Sequence, residues 1–331
     1  MAVLCALKAK ASLVRDEVDT VYFGGGTPSV FGGERISQVI SCIKNNYKLT
    51  EDAEITVECN PSSVSRELFC ALSGAGVNRI SMGMQSAVEK ERKALGRLSG
   101  KNQVEEAVTL AKSCGIDNIS LDIMLGVPFQ TMESLDESID YLLSADIKHI
   151  SAYMLKIEEG TPFNKMKENL ALADEDAVCD MYLHTVKRLS QGGFNQYEIS
   201  NFSKEGFESR HNLRYWHCEE YLGIGPSAHS FIGGKRYYYT RDFDAFLKGE
   251  DWIFDCDGGD PEEYIMLALR LSEGLIFREY ERKFGKEIDE VIIKKAEKLS
   301  RAGLLTLTNE RISLTTEGFL LSNTVIRELI L

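Results

Sequence analysis

The strongest constraint on the fold is a rhythm that repeats from residue 18 to about residue 155. In each repeat a short apolar run is followed by a turn and then by an amphipathic helical pattern. Strands that alternate with helices pair in parallel through right-handed crossovers, so the pattern predicts an α/β fold. The predicted strands are residues 18–23, 54–59, 78–84, 118–125 and 149–155, and the helical patterns between them are residues 33–47, 65–76, 104–115 and 134–145.

The first predicted strand ends in the glycine-rich stretch 24-GGGTP-28. Consecutive glycines expose backbone N–H and C=O groups to a ligand, and Thr27 adds a hydroxyl. The stretch does not match a dinucleotide fingerprint, because Pro28 follows and the third glycine of GxGxxG is missing. The segment alone leaves two interpretations open: a ligand-binding loop, or a tight turn without a ligand.

Polar residues stand at or just beyond the ends of the next strands. They are Glu58, Gln85, Arg97 and Asp122. The carboxyl ends of parallel strands gather on one face, where ligands bind. Two acids, an amide and a guanidinium on that face suit a ligand with ammonium, carboxylate and ribose groups, with Arg97 on the carboxylate. Taken singly, each residue is equally compatible with a capping or surface position.

The second half of the chain changes character. A helix over 175–192 and a strand over 196–202 are predicted, and residues 210–240, dense in His, Gly and aromatics, indicate an ordered functional loop. The residues after the turn at 255–264 predict a small winged-helix-like α+β module. Its predicted helices are 261–272, 277–284 and 287–302, followed by two β runs within 304–315 and a last helix.

Charge and hydropathy exclude two classes of partner. The net charge is −13, from 38 basic and 51 acidic residues, which argues against nucleic acid as a partner. Apolar runs stay well short of the roughly 20 residues that span a bilayer, so no stable membrane insertion is expected. The start of the chain has no convincing cleavage site, and a cytoplasmic location is predicted.

Several strings, in order along the chain, resemble one family. They are YFGGGTPS, ECNP, MQS, LDIMLGVPFQT, YEISNFS, HNLRYW and GIGPSAHS. This pattern resembles the oxygen-independent coproporphyrinogen III oxidase superfamily of radical S-adenosylmethionine (SAM) proteins, most of all its HemW-type haem-chaperone branch, over residues 18–331. The resemblance implies that SAM is bound by Gly25, Gly26, Thr27, Glu58, Gln85, Arg97 and Asp122.

The resemblance also implies a haem-binding role for the HNLRYW segment, through His211, Asn212, Tyr215 and Trp216. A neutral imidazole of His211 can ligate haem iron, while Tyr215 and Trp216 offer flat apolar surface. The residues alone favour a purely structural role, in which His211 and Asn212 form hydrogen bonds within a loop and the aromatic side chains belong to the hydrophobic core. The implied partners are haem and a haem-acceptor protein.

Members of this family hold a [4Fe–4S] cluster in a CxxxCxxC loop that precedes the glycine stretch. The eight cysteines here, at positions 5, 42, 59, 70, 114, 179, 218 and 256, contain no such spacing. The expected architecture is therefore a partial (β/α)6 TIM-like radical SAM barrel that lacks its first strand, followed by the winged-helix-like module. No cluster assembly is expected, and most cysteines are expected to be reduced. A truncated gene model and a genuine short form both remain open.

Three domains are predicted: a radical SAM core over 1–200, an HNxxYW-containing extension over 201–258 and the carboxyl-terminal module over 259–331. The expected function is that of a haem chaperone, which binds haem and transfers it to an acceptor protein. One alternative is an oxygen-independent coproporphyrinogen III oxidase-like enzyme, which would not be competent without the cluster cysteines. Another is a non-catalytic interaction protein that docks through its last module.

Overall fold

The structure is a computed structural model that describes residues 1–97, 99–166 and 170–331. These residues divide into two compact units. We call Tyr22–Gly33 and Ile55–Glu208 the sheet unit, and Met1–Val21, Glu34–Glu54 and Ser209–Leu331 the terminal unit. The predicted three-domain bounds stay a prediction.

The largest sheet has seven strands. In chain order they are β1 Val18–Phe23, β2 Leu49–Cys59, β3 Arg79–Gln85, β4 Asn118–Leu125, β5 His149–Met154, β6 Asn195–Gln196 and β7 Asn201–Ser203. Their order across the sheet is β1-β2-β3-β4-β5-β7-β6.

Helices connect and flank the strands throughout the described residues. They are α1 Ala2–Lys10, α2 Gly33–Asn46, α3 Arg66–Ala75, α4 Glu89–Ala94, α5 Lys101–Ser113, α6 Met132–Ser144, α7 Pro162–Met166, α8 Glu175–Gln191, α9 Arg210–Trp216, α10 Phe243–Leu247, α11 Pro261–Ala268, α12 Phe277–Phe284, α13 Glu290–Arg301, α14 Thr316–Leu320 and α15 Ser322–Ile330.

The central strands of the sheet unit are parallel, as the strand–helix rhythm predicts. β2 pairs with β3, β3 with β4 and β4 with β5, all in parallel. The far edge differs from the prediction, because β7 pairs antiparallel with both β5 and β6. The single strand predicted over 196–202 is therefore wrong. The chain turns within it, where the amide of Tyr197 donates to the carbonyl of Asn201 at 3.1 Å.

The core of the sheet unit lies between the sheet and its helices. α5 packs on β3, and α6 and α8 pack on β4. Ile80 of β3 and Leu121 of β4 are fully buried, as is Phe69 of α3. Local signals start these helices: the hydroxyl of Ser65 accepts from the amide of Leu68 at 3.2 Å and caps α3. The apolar runs of the sequence thus become the buried layer.

Two features of the terminal unit were not predicted. The first is α1, which packs on α2 through Leu7, Cys42 and Ile43, with the Tyr47 hydroxyl donating to the Leu7 carbonyl at 2.6 Å. The second concerns residues 210–240, where the expected loop is wrong: they contain α9 and a β hairpin. The hairpin belongs to a three-stranded antiparallel sheet of β8 His229–Ile232, β9 Lys235–Tyr238 and β10 Ile253–Asp257.

The last part of the terminal unit has the predicted winged-helix-like order. α11, α12 and α13 precede a β hairpin, and α14 and α15 follow it. The hairpin joins a three-stranded sheet formed by β11 Leu275–Ile276, β12 Leu305–Leu307 and β13 Arg311–Leu314, in which β13 is central. No helix among the described residues has the length and apolar character needed to cross a membrane.

Truncating the core of the sheet unit should destabilise the protein strongly. Leu121→Ala removes a fully buried side chain from β4 and should lower the free energy of unfolding by about 3 kcal/mol, through lost transfer free energy and the remaining cavity. Chemical denaturation measures this loss. Val30→Ala, at a position that is 70% exposed, serves as the control and should change the free energy of unfolding by less than about 0.5 kcal/mol. Equal losses in both variants would contradict the assigned core.

Candidate functional sites

The glycine loop after β1 is open on its outer side. Gly25 and Gly26 have φ values of +81° and +71°, which favour glycine over residues with a side chain. A Cβ added at either position would meet no atom within 4 Å. The backbone conformation therefore requires these glycines, and space remains beside them for a ligand. Thr27 follows, and its carbonyl accepts from the amide of Val30 at 3.1 Å in a short 3₁₀ turn.

Glu58, at the end of β2, holds the glycine loop. Its Oε2 accepts from the amide of Gly25 at 3.2 Å, and its Oε1 accepts from the hydroxyl of Tyr22 at 2.8 Å. Burial of Tyr22, together with the negative charge of Glu58, raises the pKa of the phenol. Tyr22 is therefore a neutral donor to Glu58, and the carboxylate is fixed beside the open glycines.

Asp122, on β4, lies close enough to Glu58 for the charge of Glu58 to affect its pKa. Burial is the main cause that raises the pKa of Asp122 to about 6, and the charge of Glu58 adds to it. Hydrogen bonds from Ser151 and Ser81 and the positive charge of Arg79 oppose this rise. Arg79 is itself buried, at 2% exposure. The sheet unit thus brings two carboxyl groups and one buried cation into one region.

Gln85 closes β3 in an unusual conformation. Its φ of +69° is rare for a residue with a side chain, and the register between β3 and β4 shifts between Gly83 and Gln85. The side chain folds back over Gly83, where an added Cβ would lie 2.4 Å from Gln85 Nε2. The neighbouring glycine therefore makes room for the amide, and strained residues of this kind cluster at functional sites.

Arg97 follows α4 and borders a cavity. It is exposed after α4 and lines a largely basic cavity of about 380 Å³. The lining residues are Glu89, Arg92, Lys93, Arg97, Gly100, Lys101, Asn102 and Gln103. Glu58, Gln85 and Asp122 are not among the residues that line this cavity.

The residues that support Glu58 and Asp122 were missed by the sequence analysis. They are Tyr22, Arg79, Ser81 and Ser151. Their signal is polar side chains at every second position of otherwise apolar strands, as in Arg79 and Ser81 of β3. Residues two apart on a strand share a face. This pattern predicts a polar face as well as polar strand ends.

In the terminal unit, HNLRYW forms most of helix α9. The Ser209 hydroxyl accepts from the amide of Asn212 at 3.4 Å and caps the helix. The buried carboxylate of Glu54 accepts from the amides of Arg210 and His211, at 3.2 and 3.1 Å. A negative charge on the exposed amides of a helix N-terminus is stabilising, so Glu54 fixes the start of the motif.

The imidazole of His211 has a hydrogen-bond partner at each nitrogen. Its Nδ1 lies 2.9 Å from Thr20 Oγ1, and its Nε2 lies 2.8 Å from the hydroxyl of Tyr215. Tyr215 stands four residues later on the same face of α9, and its ring meets the edge of Tyr221 at a centroid distance of 4.6 Å. Burial, with a contribution from Tyr221, raises the pKa of Tyr215 to about 12. His211 and Tyr215 are thus brought together.

The other predicted haem residues contribute less to this contact. Asn212 takes part through its backbone amide at the helix cap, and Trp216 is half-buried at the end of α9. Two histidines outside the motif have partners of their own: His217 Nε2 lies 2.9 Å from Glu273 Oε1, and the ring of His229 stacks on Tyr238. Among the described residues, no three His, Cys, Asp or Glu side chains are grouped as in a metal site.

Comparisons with known proteins place the chain. A family model described as the radical SAM superfamily matches residues 6–142, and the HemN C-terminal domain model matches residues 260–321. The Heme chaperone HemW of Lactococcus lactis subsp. lactis is 34% identical over 324 residues, which cover 96% of this chain and 86% of the relative. The Heme chaperone HemW of Escherichia coli is 34% identical over 318 residues, covering 94% and 83%.

The chain belongs to the HemW family. Its fold is the α/β fold of radical SAM proteins, since it is similar to the solved structure of the Escherichia coli coproporphyrinogen III oxidase HemN. The TM-score is 0.82 at 19% identity, and the match covers 99% of this chain and 82% of that chain. At this level of identity the likeness concerns the fold alone. Both the family and the fold that the motifs predict are confirmed.

The cysteines do not fit the [4Fe–4S] cluster that radical SAM membership implies. Cys70 and Cys114 are joined in a disulfide, whereas the other six cysteines are free, so most of the cysteines are reduced. Of the remaining six, Cys42, Cys59 and Cys218 are buried, Cys179 is partly buried, and Cys5 and Cys256 are exposed. Among the described residues, no three His, Cys, Asp or Glu side chains form a cluster of metal ligands.

The titration of Asp122 should be visible in the stability of the protein. An unfolded aspartate titrates near pH 3.9, whereas burial raises the pKa of Asp122 to about 6. The folded state therefore binds more protons between these values, and the stabilising contribution of Asp122 is lost as pH rises through about 6. Asp122→Asn removes this dependence. The unsubstituted chain should therefore lose about 2 kcal/mol of unfolding free energy, relative to the variant, when the pH rises from about 4 to about 7.

Chemical denaturation at the two pH values measures this difference, and a carbon-13 NMR titration of the Asp122 carboxyl measures its pKa directly. A difference that stays constant with pH would contradict the raised pKa.

The Asp19 carboxylate should stabilise the base of α9. Burial alone would raise the pKa of Asp19, but the hydrogen bond and charge of Arg214, with Arg210 beside it, lower it overall. Asp19→Asn should therefore cost about 1 kcal/mol of unfolding free energy near neutral pH, and the cost should vanish as pH falls below the folded pKa. Asp255→Asn, at an exposed position of β10, is the matched control, and an equal loss there would contradict the assigned ion pair.

Proposed function

We propose that this chain is a haem chaperone, which binds haem at the HNLRYW segment and passes it to an acceptor protein. The observation that carries the proposal is the contact of His211 with Tyr215 on one face of α9, with Tyr215 reaching the surface. This pair offers an iron ligand beside aromatic surface for the macrocycle. The names of the HemW relatives support the same function, since they describe those proteins as heme chaperones. A cytoplasmic location remains part of the proposal.

We also propose that the sheet unit binds SAM. The open glycine backbone at Gly25 and Gly26 suits close approach of a ligand. The carboxylates of Glu58 and Asp122 suit an ammonium, a sulfonium or ribose hydroxyls. Thr27 and Gln85 are proposed to contribute hydroxyl and amide contacts. Arg97, which is exposed after α4, is proposed to bind the carboxylate of SAM.

One alternative function is anaerobic decarboxylation of coproporphyrinogen. The structurally similar HemN is described as a coproporphyrinogen III oxidase. Enzymes of that class need an iron–sulfur cluster together with SAM. The names of the HemW relatives and the contact of His211 with Tyr215 favour the chaperone over the oxidase. An interaction protein that docks through its carboxyl-terminal module is the third candidate, and it would be favoured if neither haem nor SAM binds.

Haem binding should depend on His211. In titrations of the full chain with ferric haemin, His211→Ala should weaken binding by at least about tenfold, because the side chain at the centre of the α9 contact is removed. The Soret absorption band measures binding. His184→Ala is the control, since His184 belongs to α8 and bonds to Asp136 at 2.8 Å. Turnover of coproporphyrinogen by the chain would instead favour the oxidase.

SAM binding should depend on the Glu58 carboxylate. Glu58→Gln should weaken binding about tenfold, because the amide removes the negative charge and loosens the glycine loop that Glu58 holds. Calorimetric titration with SAM measures the effect. Glu51→Gln, at an exposed position of the same strand, should bind SAM as the unsubstituted chain does. Equal affinities in all three proteins would contradict the proposed SAM site.

A further inference from the structure

Thr20, His211 and Tyr215 form a continuous chain of hydrogen bonds within the terminal unit. The two links measure 2.9 Å, from Thr20 Oγ1 to His211 Nδ1, and 2.8 Å, from His211 Nε2 to the Tyr215 hydroxyl. This series of hydrogen bonds ends at Tyr215, a residue that is 37% exposed, whereas His211 is half-buried. Of the two side chains, Tyr215 is therefore the more accessible to a ligand that approaches α9 from solvent.

The chemistry of a neutral imidazole decides which atom can bind iron. One ring nitrogen carries a proton and donates, and the other has a lone pair and accepts. In the tautomer that carries its proton on Nδ1, the Nδ1–H group donates to the Thr20 hydroxyl, and Nε2 accepts the O–H of Tyr215. The lone pair of Nε2 is then occupied by that proton, whereas the phenol oxygen keeps lone pairs for a metal.

The position of the Tyr215 ring is fixed by its neighbours. Its edge-to-face contacts with His211 and Tyr221 have centroid distances of 5.1 and 4.6 Å. Edge-to-face pairs of this geometry are favourable. Two aromatic neighbours therefore hold the Tyr215 ring in place. The phenol oxygen of that ring is already hydrogen-bonded to His211.

We infer that Tyr215, rather than His211, ligates the iron of ferric haem, through its phenolic oxygen. His211 is the base for that phenol, and Thr20 is the hydrogen-bond partner that holds the imidazole in place. This inference rests on the proposed haem-binding function. When haem binds, the iron–oxygen bond forms as a water ligand leaves the iron. The O–H bond of Tyr215 breaks, and its proton passes to His211 Nε2. No oxidant or reductant is consumed.

Ligation by a phenolate has a consequence for release. An anionic oxygen is a hard ligand, which prefers iron(III) to the softer iron(II). Haem held by Tyr215 is therefore bound more tightly in the ferric state, and an external one-electron reductant weakens the bond. Reduction of the bound haem is then the step that favours its transfer to an acceptor that offers nitrogen or sulfur ligands.

Haemin titrations of the full chain, followed by absorption and resonance Raman spectroscopy, test this assignment. The unsubstituted chain should show the charge-transfer absorption and the iron–phenolate vibrations of a tyrosinate complex. Tyr215→Phe keeps the ring, and should lose those signals and weaken ferric haem binding by about thirtyfold. His211→Ala and Thr20→Val should keep the phenolate signals with weaker binding, by about tenfold and about threefold. Dithionite should weaken binding by the unsubstituted chain but not by Tyr215→Phe.

Tyr238→Phe, which removes another hydroxyl from the terminal unit, is the control and should behave as the unsubstituted chain does. If the haem complex shows imidazole ligation that is lost in His211→Ala and kept in Tyr215→Phe, the inference is wrong while the proposed function stands. If the unsubstituted chain binds no haem, the proposed function fails and the inference with it. If haem binds equally to all variants, both the assigned ligand and the assigned site are wrong.

Discussion

Alternation of side chains along parallel strands is the constraint on which the sheet unit depends. The register aligns Glu58 of β2 with Ser81 of β3, and Asp122 of β4 with Ser151 of β5. Because alternate residues share a face, one face of the sheet is apolar and packs on helices, while the other carries carboxylates and hydroxyls. The position of the two carboxyl groups therefore follows from strand pairing, and local contacts and burial then determine the pKa of Asp122.

A polar face of this kind is costly to bury. Thr56, Arg79 and Asn118 form one aligned row across β2, β3 and β4. Each has a buried side-chain atom without a hydrogen-bond partner among the described residues. Buried polar atoms without partners are rare in folded proteins, since each loses its hydration. The face is accordingly built for contact with polar groups at the expense of stability.

How much of the sheet could be predicted depends on how long and how apolar each strand is. The bounds of β1 and β4 match the apolar runs 18–23 and 118–125, because both runs are flanked by polar or turn residues. β2 begins earlier than predicted, at Leu49, since its first half is polar and partly exposed. β6 and β7 are only two and three residues long, too short for any periodicity to reveal.

The candidate sites were predictable to a different degree. Motif resemblance found Glu58 and Asp122, but not Tyr22 or Arg79, whose roles arise from side-chain contacts across strands that sequence spacing does not encode. Helix α9 escaped prediction because a seven-residue segment of His, Asn, Arg and aromatics shows no apolar period. The contact between Thr20 and His211, which joins residues 191 positions apart, could only come from the folded chain.

The three-stranded sheet of the terminal unit ends in β10, which pairs only with β9 among the described strands and is exposed along its whole length. An edge strand of this kind offers backbone donors and acceptors to any other extended segment. The apolar side chains of Ile253 and Phe254 would strengthen such an association. Asp255 and Asp257 interrupt the strand with like charges, which repel when two copies align. These two aspartates thus act as gatekeepers that help to keep separate molecules from joining border to border.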